Sequence, residues 1–112
     1  MNEKYSLRYL PIFESDLYSA AEYISNTLMN RQAADNLINQ TEKAILKRLE
    51  NPVAFEPYNS LKDRKHKYYR IIVKNYSVFY VVIDNVMEVR RFIYNGRDIS
   101  KFIYQQNPHL FG

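Results

Sequence analysis

The sequence of 112 residues contains no cysteine. This absence excludes disulfide bonds, thiolate metal sites and thiol nucleophiles, and it is typical of proteins from a reducing compartment. Glycine occurs only twice, as Gly96 and Gly112, which excludes a glycine-rich phosphate-binding loop. The two histidines, His66 and His109, stand apart and lack helically spaced carboxylates. We therefore expect no metal site and no cofactor.

Long apolar runs are also missing. The N-terminal stretch "MNEKYSLRYL" has no apolar signal region, and no segment reaches the roughly 18 apolar residues that a membrane span requires. We expect a soluble cytoplasmic protein without a membrane partner. A chain of 112 residues fits one domain, which we place at residues 1–104, with a C-terminal tail at 105–112.

Charge is distributed unevenly along the chain. Residues 1–59 hold six Lys and Arg against eight Asp and Glu, whereas residues 60–112 hold ten against four. The first part therefore carries −2 and the second +6. This asymmetry predicts a polyanionic or acidic partner for the second part. The alternative is a basic surface that serves only solubility.

The first part of the chain predicts one strand and two helices. "KYSLRYL" alternates like a strand that Pro11 ends. Asp16 and Asn30 are each placed to cap a helix, and Pro52 is placed to close the second one. Only "LMN" separates the helices, so they are predicted to form an antiparallel hairpin. Their apolar positions recur at helical spacing: Leu17, Ala20, Ala21, Ile24 and Leu28, then Ala33, Ala34, Leu37, Ile38, Thr41, Ala44, Ile45 and Leu49.

The second part changes to a period of two. Residues 67–74, 76–83 and 86–94 are rich in β-branched and aromatic side chains, and two-residue turns separate them. "DISKFIY" fits a short final helix capped by Asp98. The predicted order is β-α-α-β-β-β. We expect an α+β fold in which an antiparallel sheet carries the helical hairpin on one face.

The stretch "DRKHKYYRII" leads into the first strand of this sheet and combines basic and aromatic side chains. Because side chains alternate along a strand, Tyr69, Ile71 and Val73 are predicted to face the helices. Tyr68, Arg70, Ile72 and Lys74 are then predicted to face solvent or a ligand.

Three segments resemble the RelE/ParE superfamily of toxins from bacterial type II toxin–antitoxin pairs. These are the helical hairpin ending at "LENP", the strand pair "YYRIIVKNYSVFYVVID", and the closing "VRRFIYNGRDISKFI". The resemblance covers roughly residues 5–104 and implies a RelE/ParE-like fold. It also implies a cognate antitoxin as partner and a mechanism without a metal.

The resemblance implies two activities. One branch of the superfamily cleaves mRNA in the ribosomal A site, and the other inhibits DNA gyrase. We take a ribosome-dependent mRNA endonuclease as the first hypothesis, with the ribosome and mRNA as partners. A ParE-like gyrase inhibitor is the alternative, and a non-toxic RNA- or protein-binding relative is the third.

Carried over by position, the resemblance places Arg70 where the ribonuclease branch contacts the scissile phosphate, and Arg97 at the basic position after the last strand. Arginine suits this work because its forked donors match phosphate oxygens. The chain departs from the family at two positions. Tyr68 stands where the ribonucleases have a lysine, and Ser77 where both branches usually have an arginine.

The remaining candidates follow from side-chain chemistry. Tyr94 and Tyr68 are candidates for stacking on unpaired bases, although tyrosine also packs well between strands. His66 is the candidate acid–base group, because imidazole exchanges protons near neutral pH. The candidate catalytic set is therefore Arg70, Arg97, Tyr94 and His66. The candidate nucleic-acid-binding set is Lys62, Arg64, Lys65, Lys67, Tyr68 and Lys74.

Overall fold

The computed structural model describes residues 4–58 and 65–97. Strand β1, Ser6–Tyr9, leads into helix α1, Pro11–Glu22, which a π-helical turn at Tyr23–Thr27 extends. Helix α2 spans Arg31–Arg48, and three strands follow: β2, Tyr69–Val73; β3, Tyr76–Ile83; and β4, Val86–Tyr94. The predicted α+β class and element order are confirmed. Lys62, Arg64, the predicted helix after Asp98 and the predicted tail lie outside the described residues.

The sheet has the strand order β1-β4-β3-β2. Strands β2, β3 and β4 form the predicted antiparallel meander, but β1 pairs with β4 in parallel, from Ser6↔Val86 to Tyr9↔Val89. The sheet is therefore mixed, not antiparallel throughout. Hydrophobic alternation fixes which face of β1 is buried and carries no information about strand direction, so the sequence did not reveal the parallel pair.

The two hairpin turns are as short as predicted. Lys74 and Asp84 take the left-handed backbone, with φ of 57° and 56°. In the second turn an aspartate does so, in line with the known tolerance of Asp and Asn for this region. In the first turn the left-handed residue is Lys74 and not Asn75, which places a lysine side chain at the tip of the β2–β3 hairpin.

The start of α1 differs from the prediction. The helix begins at Pro11, with Leu10 as its N-cap, and no side chain caps it. Proline suits the first helical position because its ring fixes φ and its missing N–H needs no partner there. The predicted cap, Asp16, is therefore inside the helix. The second predicted cap is confirmed, since the Asn30 Oδ1 accepts a hydrogen bond from the Ala33 N–H at 3.0 Å.

Asp16 instead joins α1 to β4. Its carboxylate accepts hydrogen bonds from Arg91 Nε at 2.7 Å and Nη2 at 2.9 Å, and from the Phe92 backbone N–H at 3.0 Å. The pairing of β1 with β4 ends at Tyr9 and Val89, so this N–H lies on the edge of β4 beyond its strand neighbour. Asp16 takes the place of a strand partner there.

Each face of the sheet buries apolar side chains. Tyr69, Ile71 and Val73 pack under the helices against a core that includes Phe13, Leu17, Leu37 and Ile45, which confirms the predicted helix-facing set. The opposite face carries a second, smaller cluster, formed by Tyr68, Phe79, Val81 and Ile93, with Tyr58 and Ile83 packed against it. That face is therefore partly covered and not simply open to solvent.

Within the described residues, no helix is long and apolar enough to cross a membrane.

Asp16→Ala is expected to lower the free energy of unfolding by about 3 kcal/mol, because it leaves the charge of Arg91, a side chain 1% exposed, without its carboxylate. Urea unfolding of both proteins measures the difference. Asp35→Ala is the matched control, since Asp35 is an exposed carboxylate on α2. Equal losses in the two variants would contradict the assigned role of Asp16.

Candidate functional site

A cleft of about 860 Å³ lies between the helical hairpin and the end of the sheet where β4 finishes. Ala20, Ile24 and Leu37 line its helical wall, and Tyr76 and Phe92 line its sheet wall. The cleft is therefore apolar in its depth. Its rim on the sheet side is basic and aromatic, and is formed by Lys74, Tyr94 and Arg97.

The chain folds tightly at this rim. The Arg97 N–H donates to the Tyr94 carbonyl at 3.1 Å, which closes a turn directly after β4. A Cβ atom on Gly96 would lie 2.6 Å from the Tyr94 ring, so any other residue in this turn would displace that ring. The β2–β3 turn at Lys74 and Asn75 lies next to this turn, because the Asn95 N–H donates to the Asn75 carbonyl at 2.8 Å. These two turns bring three predicted site residues to one cleft.

The aromatic wall consists of stacked rings. Tyr76 stacks on Phe92 with centroids 4.7 Å apart, and Tyr94 meets the edge of Tyr76 at 5.7 Å. Tyr94 remains 49% exposed, so one side of its ring is open to a ligand. Burial raises the pKa of Tyr76 above its usual value, and the nearby Tyr94 and Tyr23 raise it further, whereas the positive charge of Arg97 opposes the rise.

Arg70 lies on the sheet face away from the helices, as predicted. Its Nε donates to Ser77 Oγ at 2.7 Å, and its Nη2 donates to Asn95 Oδ1 at 3.3 Å. The guanidinium also lies over the ring of Tyr58, with 4.9 Å between the guanidinium carbon and the ring centroid. Asn95 directly follows Tyr94, so this network lies at the same end of the sheet as the cleft but on the opposite face.

Tyr68 does not have the predicted exposure. Its side chain is fully buried in the second cluster, and its hydroxyl accepts a hydrogen bond from Arg90 Nη1 at 3.1 Å. The ring is thus enclosed on the face where we predicted a base to stack. In this structure Tyr68 is a packing residue, which is the role that tyrosine commonly has between strands.

His66, Lys65 and Lys67 precede β2, at the opposite end of that strand from Lys74. An extended chain rises about 3.3 Å per residue, so His66 is roughly 25 Å along the strand from Lys74. The candidate acid–base group is therefore not brought into the cleft. Lys65 and Lys67 are exposed and form a separate basic surface at the start of β2.

Several functional or structural residues escaped the sequence analysis. Ser77 and Asn95 hold Arg70, and Glu88 pairs with both Arg8 and Arg90 at 2.9 Å. A sequence signal existed for part of this set, because a serine or a pair of arginines inside an apolar strand must find polar partners. The identity of those partners depends on the register of the sheet. Among the residues that the structure describes, no cluster of three metal-ligating side chains occurs.

Comparison with known proteins gives one matching family. The model described as "ParE toxin of type II toxin-antitoxin system, parDE" matches residues 7–99. No curated protein sequence matches the chain.

Two solved structures share the fold. The chromosomal ParDE toxin–antitoxin system from P. aeruginosa contains a chain with a TM-score of 0.68 and 10% sequence identity, covering 83% of this chain and 98% of that one. The archaeal RelE–RelB complex from Pyrococcus horikoshii OT3 contains one with a TM-score of 0.56 and 18% identity, covering 84% of this chain and 98% of that one. The predicted RelE/ParE-like fold is thereby confirmed.

The raised pKa of Tyr76 predicts a loss of stability in alkali. Above about pH 10 the unfolded chain ionises this tyrosine while the folded protein keeps it neutral, so the free energy of unfolding falls as the pH rises through the folded pKa. Tyr76→Phe is expected to reduce that fall by less than about 1 kcal/mol, because the half-buried ring is partly screened by solvent.

Urea unfolding between about pH 8 and about pH 11 measures this effect. Tyr18→Phe is the control, because Tyr18 is 55% exposed and lies outside the cleft. An identical pH dependence in the wild type and Tyr76→Phe would contradict the assignment.

Proposed function

Since the chain belongs to the ParE toxin family of type II toxin–antitoxin systems, we propose that it binds mRNA in the cleft and cleaves it on the translating ribosome. A cognate antitoxin holds this activity in check. The observation that carries the proposal is the convergence of Lys74, Tyr94 and Arg97 at one cleft.

These three side chains have the chemistry that recognises a single-stranded nucleic acid. The lysine and the arginine bind backbone phosphates, and the half-exposed Tyr94 ring offers a stacking surface for an unpaired base. The charge of +6 over residues 60–112, with ten Lys and Arg against four Asp and Glu, favours a polyanionic partner for this part of the chain.

In this cleavage the 2′-hydroxyl attacks phosphorus as its proton passes to solvent, the P–O5′ bond breaks, and the 5′-oxygen takes up a proton from solvent, which leaves a 2′,3′-cyclic phosphate. The step needs in-line geometry and stabilisation of the extra negative charge on phosphorus. Arg97 at the cleft suits the second task, because a guanidinium stays charged at every working pH and offers forked donors. Arg70 offers the same donors at this end of the sheet, on its other face. The ribosome supplies the first, since mRNA held in the decoding site is already ordered. The reaction therefore depends on translation.

Inhibition of DNA gyrase is the second candidate function. The matching family model is that of the ParE toxins, the branch to which the sequence resemblance assigns gyrase inhibition. The enclosure of Tyr68 also removes one residue of the candidate RNA-binding set from solvent. In this alternative the cleft and its exposed neighbours Tyr23 and Leu28 bind a protein segment and no phosphodiester is cut.

Primer extension on a translated reporter mRNA, sampled minutes after the protein is induced without an antitoxin, separates the two functions. Discrete cuts that disappear when translation is blocked are the expected result. Growth arrest with intact mRNA would contradict the endonuclease and support gyrase inhibition, and normal growth with intact mRNA would identify a non-toxic relative.

In the same assay, Arg97→Ala is expected to reduce cutting about 100-fold, through loss of charge stabilisation, and Tyr94→Ala about tenfold, through loss of stacking. Lys43→Ala is the matched control, because Lys43 is an exposed cation on α2 that does not line the cleft. Full cutting by both cleft variants at equal protein levels would show that the cleft is not the RNA site.

A further inference from the structure

Ser77 is a polar residue in the apolar interior of β3. Its side chain is fully buried, and its hydroxyl both accepts and donates a hydrogen bond. Oγ accepts from Arg70 Nε at 2.7 Å and donates to Asn95 Oδ1 at 2.5 Å. A hydroxyl that donates to one partner and accepts from another is fixed in orientation. Ser77 thus sets the position of the Arg70 guanidinium relative to the end of β4.

Asn95 completes the arrangement. Its Oδ1 accepts from both Ser77 Oγ and Arg70 Nη2, and its backbone N–H is held by the Asn75 carbonyl at 2.8 Å. The ring of Tyr58 lies against the guanidinium from a third direction. The side chain of Arg70, which is long and flexible in isolation, is therefore restrained at two nitrogens and over its plane.

Every one of these restraints is electrically neutral. Among residues 4–58 and 65–97, no carboxylate forms an ion pair with Arg70. The two buried arginines of β4 differ from Arg70 in this respect, since Arg90 pairs with Glu88 and Arg91 pairs with Asp16. A guanidinium uses five N–H donors, and the neutral partners take two of them from Arg70. With respect to the described residues, three N–H donors and the full positive charge of Arg70 remain for an anion.

We infer that Ser77 and Asn95 are positioning residues that hold Arg70 for a phosphodiester of single-stranded RNA. The inference rests on the proposed function and names two residues through which that function acts. Neutral partners orient the guanidinium without cancelling its charge, which is the property that an anion-binding arginine needs.

The test uses purified protein and a fluorescein-labelled oligouridylate, with anisotropy measured over a range of salt concentrations. Arg70→Ala is expected to weaken binding at least about tenfold and to reduce the slope of log K against log salt by about 0.7, the loss of one phosphate contact. Ser77→Ala is expected to approach the same loss. The double variant is expected to bind as Arg70→Ala does, because Ser77 acts through Arg70.

Asn95→Asp is the second variant, and it separates positioning from a structural role. It keeps the acceptor oxygen and adds a carboxylate that neutralises Arg70, so RNA binding is expected to fall about tenfold while urea unfolding shows equal or greater stability. Asn85→Asp, which adds the same charge at the exposed β3–β4 turn, is the matched control.

Wild-type affinity in both Ser77→Ala and Asn95→Asp, or additive losses in the double variant, would overturn the positioning role. If either of these results is obtained while the wild type still cuts mRNA in cells, the positioning role fails and the proposed function stands. Absence of oligouridylate binding by the wild type, together with intact mRNA in cells, would overturn the inference and the proposed function together.

Discussion

The carboxylate of Asp16 connects the helical layer to the sheet. Strand β1 stops at Tyr9 because Pro11 begins α1, whereas its neighbour β4 continues to Tyr94. The edge of β4 that results would face no partner, and Asp16 covers it by accepting from the Phe92 N–H and from two nitrogens of Arg91. One helical side chain thereby satisfies a strand edge and a buried guanidinium.

This connection forms part of the cleft wall, because Asp16 lines the cleft. Asp16 fixes α1 against β4, and the apolar space beside Tyr76 and Phe92 lies between the helical hairpin and the sheet. Two turns then supply its rim, one through the left-handed backbone of Lys74 and the other through Gly96 beside the Tyr94 ring. Site and scaffold therefore depend on the same few residues at one end of the sheet.

The sequence predicted the helices and strands better than the contacts between them. Periodicity identified β3 and β4 to the residue, and alternation identified the helix-facing side of β2. It misplaced Asp16, since an aspartate before an apolar helical repeat matches a cap although Pro11 had already begun the helix. Alternation shows which face Tyr68 occupies but not what covers that face. The Ser77–Asn95–Arg70 network depends on register between strands, which no local pattern contains.

The position of β4 between β1 and β3 has a consequence for synthesis of the chain. Residues 6–9 emerge from the ribosome well before residues 86–89, with which they pair. Asp16 likewise emerges before Arg91, its partner in the ion pair. Contacts between residues so far apart in sequence form late and slowly. A nascent chain can therefore form its helical hairpin and its β2–β3 pair before it can join them, and the cleft can form only after residues 86–94 have left the ribosome.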